Sequence, residues 1–500
     1  MKEGLIGIDS CGTNMKVAAF SIEGKRLYIT SRKNIPVITK EGYYFDWKYQ
    51  KRMFFEMLKE VVDHNYKILS IGISTCGEAV YPLDENGNII DNAIAWYCRR
   101  TEEQKEEFEK KIFEKEIYKI CFLRSFYSYS AHKINWYKKY KPEIFKKTVC
   151  WLPVTGFVNY LLTKTKYFDY NQAGTTLLFD TIKRNWSDKL FQINGISKDT
   201  FPELVESGKM TGFLTEENKE LLGIDYDIPV SIGGHDAWCG QFALGVGVSK
   251  EADEYIFSFT GTAGSASFGK VVDKKELDKI LDKEGIEYFY DNFSMVIPYV
   301  YPGKYHCVYT GAIVDYYGAL INFIINLFYN KKVGEIADND YIEFRREVDS
   351  SKPGANGIRI YVKENDPIKL RDFDGINILN LRTSNTRGDV FRAVIEYLCL
   401  IDRNQLKRIG EKRKKMYIIG GFTQNKSFVR IRANILNMPH YIAKEEEINA
   451  LGAALLGGVG AGIYKSYEDA TSRVRIRYNN VVEPDPKLVK EYKEIYNLSI

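Results

Sequence analysis

The chain has 500 residues, 45% of them hydrophobic, and its 71 basic and 66 acidic side chains leave a net charge of only +5. That length exceeds one ordinary core and predicts two domains of roughly 250 residues each; the near balance of charge excludes the concentrated basic surface that nucleic-acid binding needs. Eight cysteines stand singly, with no Cys-x-x-Cys pair, so neither a disulfide framework nor a zinc site is indicated. The start, Met1-Lys2-Glu3-Gly4, runs into a strand without the apolar core of a secretory signal, which predicts a cytoplasmic protein. The apolar stretches Ala319 to Tyr329 and Ala450 to Tyr464 fall short of the ~20 residues a membrane helix needs and read as buried helices.

In chain order, the first half predicts strands at Leu5 to Asp9, Met15 to Ser21 and Lys67 to Ile73. Helical patterns run over Tyr49 to His64 and Thr101 to Lys119, and a long helical section runs from Ala131 through Leu162. A strand from Ile228 to Ile232 follows. A polar connector at Val248 to Glu254 separates the halves. The second half opens with strand, turn and strand over Tyr255 to Phe268. Loops around a short strand, Gly357 to Val362, come next, then a helix Thr386 to Arg408, a strand Met416 to Ile419 and a helix Lys426 to Asn437. Such alternation implies mixed sheets flanked by helices.

Four segments carry chemistry. Ile8-Asp9-Ser10-Cys11-Gly12-Thr13-Asn14 is a tight turn between two strands, where backbone N–H groups face a phosphate, or else an ordinary hairpin turn. Gly233-Gly234-His235-Asp236 presents a carboxylate after a strand and a glycine pair, as a catalytic base or as a helix N-cap. Ser258-Phe259-Thr260-Gly261-Thr262 repeats the first pattern. Met416-Tyr417-Ile418-Ile419-Gly420-Gly421-Phe422 runs a strand into glycines and then a helix. Each half thus opens alike, so the fold reads as a duplication, and an acid, a base and phosphate turns together suggest phosphoryl transfer.

In this order the motifs resemble the FGGY family of carbohydrate kinases, within the actin-like ATPase superfamily, from Leu5 to about Tyr464. The resemblance implies an α/β fold of two actin-like, ribonuclease-H-like domains, 1–248 and 249–500, with the active site in the cleft between them. It also implies ATP and Mg²⁺. Asp9 would hold the metal, Gly12, Thr13 and Asn14 the first phosphate loop, and Thr260, Gly261 and Thr262 the second. Gly311, Asp315, Gly420, Gly421 and Asn425 would surround adenosine. Asp236 would be the catalytic base, and Glu78, Trp96, Cys98, Arg100 and His235 would line the sugar pocket with it. His235-Asp236 and the Trp-x-Cys-x-Arg-Thr pattern lean toward L-fuculokinase more than xylulokinase.

Two positions depart from the family: Phe422 replaces an adenosine-site glycine, and Cys98 stands where many members carry an aspartate. The expected activity is transfer of the ATP γ-phosphate to a small sugar, a ketose by preference. The alternatives are a glycerol or polyol kinase, a catalytically impaired sugar or nucleotide sensor, and a chaperone or filament ATPase. The expected partners are sugar and ATP, without nucleic acid or membrane, and a homodimer is compatible with this reading.

Overall fold

The computed structural model describes residues 2–64, 66–260, 264–267, 269–292, 294–308, 317–332, 335–362, 375–408, 412–474 and 478–498. The expected site residues Gly261, Thr262, Gly311 and Asp315 lie outside them. The chain forms two compact units, residues 1–252 with 270–307 and 447–476, and residues 253–269 with 308–446 and 477–500. The first segment ends four residues past the expected boundary at 248, and two later segments return to pack with it.

The first unit is built on a six-stranded sheet in the order Met210–Phe213, Pro229–His235, Tyr66–Thr75, Lys2–Ser10, Asn14–Phe20, Arg26–Lys33. Its three central strands are parallel to one another, and Lys2–Ser10 forms an antiparallel hairpin with Asn14–Phe20. Both faces of the central strands are covered, so they read as near-continuous apolar runs. In Lys2–Ser10 all residues from Gly4 onward are buried. The helix Trp47–Val62 is started by Asp46, whose carboxylate accepts from the N–H groups of Lys48 and Tyr49 at 2.9 and 3.2 Å. It buries Met53, Phe54, Met57, Leu58 and Val61, a stripe of helical period.

The second unit repeats the plan with five strands, Gly264–Ser267, Tyr255–Thr260, Lys415–Ile419, His440–Ala443 and Tyr478–Val482. Again a hairpin leads into parallel neighbours, so the hairpin and its parallel partners recur in both sheets, as the duplicated motifs predict, while the outer strands differ in number and chain order. Its core gathers Ile256, Leu320, Phe391, Leu398, Ile418 and Phe428. Within it Arg432 and Asp402, each 1% exposed, form an ion pair at 2.7 Å, and Arg432 also donates to Ser258 Oγ.

Late in the chain, helix Ile448–Gly460 packs on the first unit's central strands through small residues. A Cβ on Gly7 would lie 1.8 Å from the Ala450 carbonyl oxygen, and one on Gly72 would lie 1.8 Å from that of Ala453. Only glycine permits such an approach. The apolar reading of this segment is therefore right, and its many glycines belong to its packing.

Two helical expectations need correction. The section from Ala131 through Leu162 is interrupted: helices Ser130–Tyr140, Pro142–Lys147 and Val154–Thr163 enclose a strand, Cys150–Pro153, which pairs with Val80–Leu83. Pro142 and Pro153 mark the breaks, because proline opens a helix more readily than it continues one. Residues 101–119 likewise form two helices, Glu102–Glu109 and Glu114–Cys121. No helix among the described residues is long and apolar enough to cross a membrane.

Candidate active site

The three central parallel strands of the first unit end side by side, and their carboxyl ends deliver Asp9, the Cys76–Glu78 segment and His235-Asp236 to one place. Ligands of open α/β sheets bind at such ends. The turn after Asp9 is fixed by the Cys11 N–H on the Asn14 carbonyl at 2.9 Å and by Asn34, whose side chain donates to the Cys11 carbonyl at 2.9 Å. Gly12 faces Trp96: a Cβ there would come within 2.6 Å of the indole Nε1. Thr13 at the tip is exposed.

Asp9 is 3% exposed. Burial, the nearby Asp236 carboxylate and Glu447 push its pKa up to about 7, against the pull of Lys16 and a hydrogen bond from Cys11. Lys16 is ion-paired with Glu447. Asp236 opens helix Asp236–Ala243. Its Oδ1 accepts from the Ala237 N–H at 2.7 Å and lies 2.6 Å from His235 Nδ1; its Oδ2 accepts from the Cys11 thiol at 2.9 Å. Burial works against its charge, but His235 together with the hydrogen bonds from Cys11 and Ala237 outweighs burial and holds the carboxyl below its ordinary value. The Cys11 Sγ also lies 3.2 Å from Asp9 Oδ1. One donor atom each of Asp9, Cys11 and Asp236 thus fall within 4.8 Å of one another.

Glu78 stands beside this group with φ 62°, a left-handed conformation costly for a residue with a Cβ and common at functional sites. Its Oε1 lies 3.9 Å from His235 Nε2. The structure therefore brings together Asp9, the Gly12-Thr13-Asn14 turn, Glu78, Trp96, His235 and Asp236.

Cys98 and Arg100 make a neighbouring cluster. The Cys98 side chain is buried, and its thiol accepts from Arg100 Nε at 3.2 Å and from the Tyr43 N–H at 3.4 Å. The Arg100 guanidinium lies 3.8 Å from the ring centre of Tyr44 and 5.0 Å from that of Trp136. Both side chains, expected in the sugar pocket, thus direct these contacts into protein. Arginine stacks well on aromatic faces, and the pattern Trp-x-Cys-x-Arg carries no sign of which aromatic residues will receive it.

In the second unit, Thr260 is buried and its hydroxyl donates to the Ile419 carbonyl at 2.9 Å. Gly420 has φ 99°, and a Cβ there would meet the Thr260 carbonyl at 2.6 Å. Gly421 begins a short 3₁₀ turn, Gly421–Gln424. Asn425 caps helix Lys426–Leu436, accepting from the Phe428 N–H at 3.1 Å. The strand, glycine and helix of this unit are as the sequence predicts.

Cys11 has a role that sequence reasoning did not assign. Cys11 directly follows the strand that carries Asp9, so its closeness to Asp9 in the chain held the available signal. Burial and both carboxylates raise the thiol pKa well above its ordinary value, which keeps it a protonated donor.

Comparison with known proteins agrees with this fold. Residues 5–243 match the N-terminal domain of the FGGY family of carbohydrate kinases and residues 299–461 its C-terminal domain. The L-fuculokinase of Escherichia coli (strain K12) is 26% identical over 98% of this chain and 100% of its own length. The xylulose kinase of Bacillus subtilis (strain 168) is 27% identical over 99% and 95%. Among solved structures, gluconate kinase from Lactobacillus acidophilus superposes with a TM-score of 0.81 at 18% identity, covering 99% of this chain and 96% of that one. Plasmodium falciparum glycerol kinase with ADP gives 0.78 at 20% identity, covering 99% and 97%. The chain belongs to the FGGY family of carbohydrate kinases. It is an ATP-dependent sugar phosphotransferase.

Proposed function

We propose that the protein phosphorylates a small ketose of the L-fuculose or xylulose kind, with Asp236 as the base that takes the proton of the attacking hydroxyl. The observation that carries this reading is the pair Asp9 and Asp236, two carboxylates at the ends of the strands that flank Tyr66–Thr75, joined through one thiol. Their environments separate their proton affinities: Asp9 is raised and Asp236 lowered. Such a separation is what a site needs when one carboxylate must stay ionised as a proton acceptor.

Asp9 has the donor chemistry for Mg²⁺, a hard cation that prefers carboxylate and water oxygens. The Cys11 thiol is a soft donor, and it serves as the hydrogen-bond bridge instead. When bound, Mg²⁺ would neutralise charge on the transferring phosphoryl group. The N–H groups of Gly12, Thr13 and Asn14 would hold phosphate oxygens, and Gly420, Gly421 and Asn425 would meet the nucleoside. Gly261, Thr262, Gly311 and Asp315 keep their expected roles in this proposal.

For the acceptor, Trp96 supplies an apolar ring face and an indole N–H, while Glu78 supplies carboxylate acceptors for sugar hydroxyls. Because the Cys98 thiol bonds Arg100 and Tyr43, we assign sugar discrimination to Glu78 and Trp96. The similarity to L-fuculokinase and xylulose kinases over nearly the whole chain supports a ketose. A coupled ADP-release screen over ketoses, aldoses, gluconate and glycerol, with ATP and Mg²⁺, tests this. Fastest turnover on L-fuculose or D-xylulose is expected; glycerol or gluconate as the best acceptor would overturn the ketose assignment.

A further inference from the structure

His235 is held by several elements of the first unit. Its backbone N–H donates to Asn171 Oδ1 at 2.9 Å, and Asn171 is anchored in turn by donating to the Pro298 carbonyl at 2.7 Å. Gly77 makes room for the ring, since a Cβ there would lie 2.7 Å from His235 Cδ2. On another side the Trp238 ring stands edge-on at 4.7 Å between centroids, and its indole N–H donates to His306 at 2.6 Å.

This clamp fixes where the two ring nitrogens point. Nδ1 lies 2.6 Å from Asp236 Oδ1, a separation that requires a proton between a nitrogen and a carboxylate oxygen. The Ala237 N–H is 2.7 Å from that same oxygen and 3.4 Å from Nδ1, so it serves the carboxylate. Nε2 faces Glu78 at 3.9 Å, too long for a direct hydrogen bond and short enough for an ion pair.

We propose that His235 is a positioning residue for the base, its Nδ1–H locking the Asp236 carboxylate in the orientation that receives the acceptor's proton, and that it is not a ligand of the sugar. This rests on the reading of Asp236 as the base. Without the His235 Nδ1–H, only the Ala237 N–H and the weak Cys11 donor would hold the carboxylate against turning about its last bond. With Oδ1 held by His235 and Ala237, Oδ2 stays on the Cys11 side, beside Asp9.

Asparagine at 235 can place an amide N–H near the position of Nδ1, whereas glutamine reaches toward that of Nε2, so the two separate base positioning from sugar contact. Steady-state kinetics with L-fuculose or D-xylulose, whichever the acceptor screen finds faster, would be measured for His235→Leu, His235→Asn, His235→Gln and Asp236→Asn. His235→Leu is expected to lower kcat at least ~10-fold, a part of the ~10²–10⁴ a general base contributes, with the KM for sugar changed by no more than about threefold. His235→Asn should recover most of kcat and His235→Gln should not. In the Asp236→Asn background, His235→Leu should cost little more, because the two side chains act as one unit.

Recovery by glutamine but not asparagine, an effect on the KM for sugar with kcat intact, or full additivity with Asp236→Asn would overturn the proposal. Thermal unfolding midpoints of all variants separate a folding defect from a catalytic one. Near-normal turnover by Asp236→Asn would instead remove the base assignment itself, a distinct outcome.

Discussion

The thiol of Cys11 donates to Oδ2 of Asp236 at 2.9 Å, joining side chains 225 positions apart in the chain. The same sulfur lies 3.2 Å from Asp9, so a single weak donor bridges the buried Asp9 and the half-buried Asp236, whose like charges repel each other. A hydrogen bond from a weak donor to a charged acceptor is worth about 1–1.5 kcal/mol. Replacing Cys11 by valine, similar in size but without a donor, is therefore expected to lower kcat about tenfold. Cys11→Ser keeps a donor and should stay within about threefold of the parent. Equal activity of the valine and parent proteins in steady-state kinetics would show that the bridge is not used.

The same surroundings make Cys11 a slow nucleophile. Burial first, then Asp236 and Asp9, raise the thiol pKa, and only the thiolate attacks an alkylating agent. At pH 8, peptide mass spectrometry after iodoacetamide treatment should show Cys11 modified more slowly in the native protein than in the urea-unfolded chain. The Asp236→Asn variant, lacking one of the two charges, should react faster than the parent.

Packing of the late helix against the first unit's sheet predicts a stability effect far from any chemistry. Gly72→Ala would force a Cβ to 1.8 Å from the Ala453 carbonyl oxygen, so the helix must move or the strand bend. Overpacking of this kind costs ~1–3 kcal/mol and occasionally more. The thermal unfolding midpoint should fall by several degrees or the variant should fail to accumulate as folded protein. Gly375→Ala, where a Cβ meets nothing within 4 Å, should be within about 0.5 kcal/mol of the parent.

Acid should destabilise the fold through buried neutral histidines. His132 is 0% exposed, and burial, with Lys133 and Lys105, lowers its pKa to about 3. In the unfolded chain the imidazole takes a proton at its ordinary pKa, ~6.5. Below that pH the unfolded state binds a proton the folded state refuses, so stability is full above about 6.5 and falls as pH drops toward 3. One such group gives at most ~1.4 kcal/mol per pH unit. His440 in the second unit, also lowered to about 3 by burial and Arg432, adds the same trend. Removing the titration with His132→Leu should flatten the decline of the unfolding midpoint between pH 6.5 and 4.5. An unchanged slope would contradict this.

Much of this was legible in the residues because the relevant signals are local. The turns after Ser10 and after Ile419 each sit between a strand and the next element, and the structure keeps both; the strand expected to end at Ile232 instead runs on through the glycine pair to His235. What the residues hide is tertiary. Cys150–Pro153 sits within a helical pattern and becomes a strand because Val80–Leu83 is there to pair with it. Helix Ile448–Gly460 returns to the first unit because Gly7 and Gly72 leave room for its backbone, a match between positions more than 370 apart that no periodicity reports. Cys98 is expected beside the sugar, and its hydrogen bond to an Arg100 stacked on Tyr44 and Trp136 is a contact that the Trp-x-Cys-x-Arg pattern does not report. The bridge made by Cys11 joins strand ends that only the folded sheet brings together.

The proposed chemistry of the site turns on Asp236 as the proton acceptor. The most direct test is the turnover of Asp236→Asn on the best acceptor with saturating ATP and Mg²⁺, beside titration of ATP binding to the same variant. A loss in kcat of ~10²–10⁴ is expected, with nucleotide affinity nearly unchanged. Near-parental turnover of Asp236→Asn would contradict it.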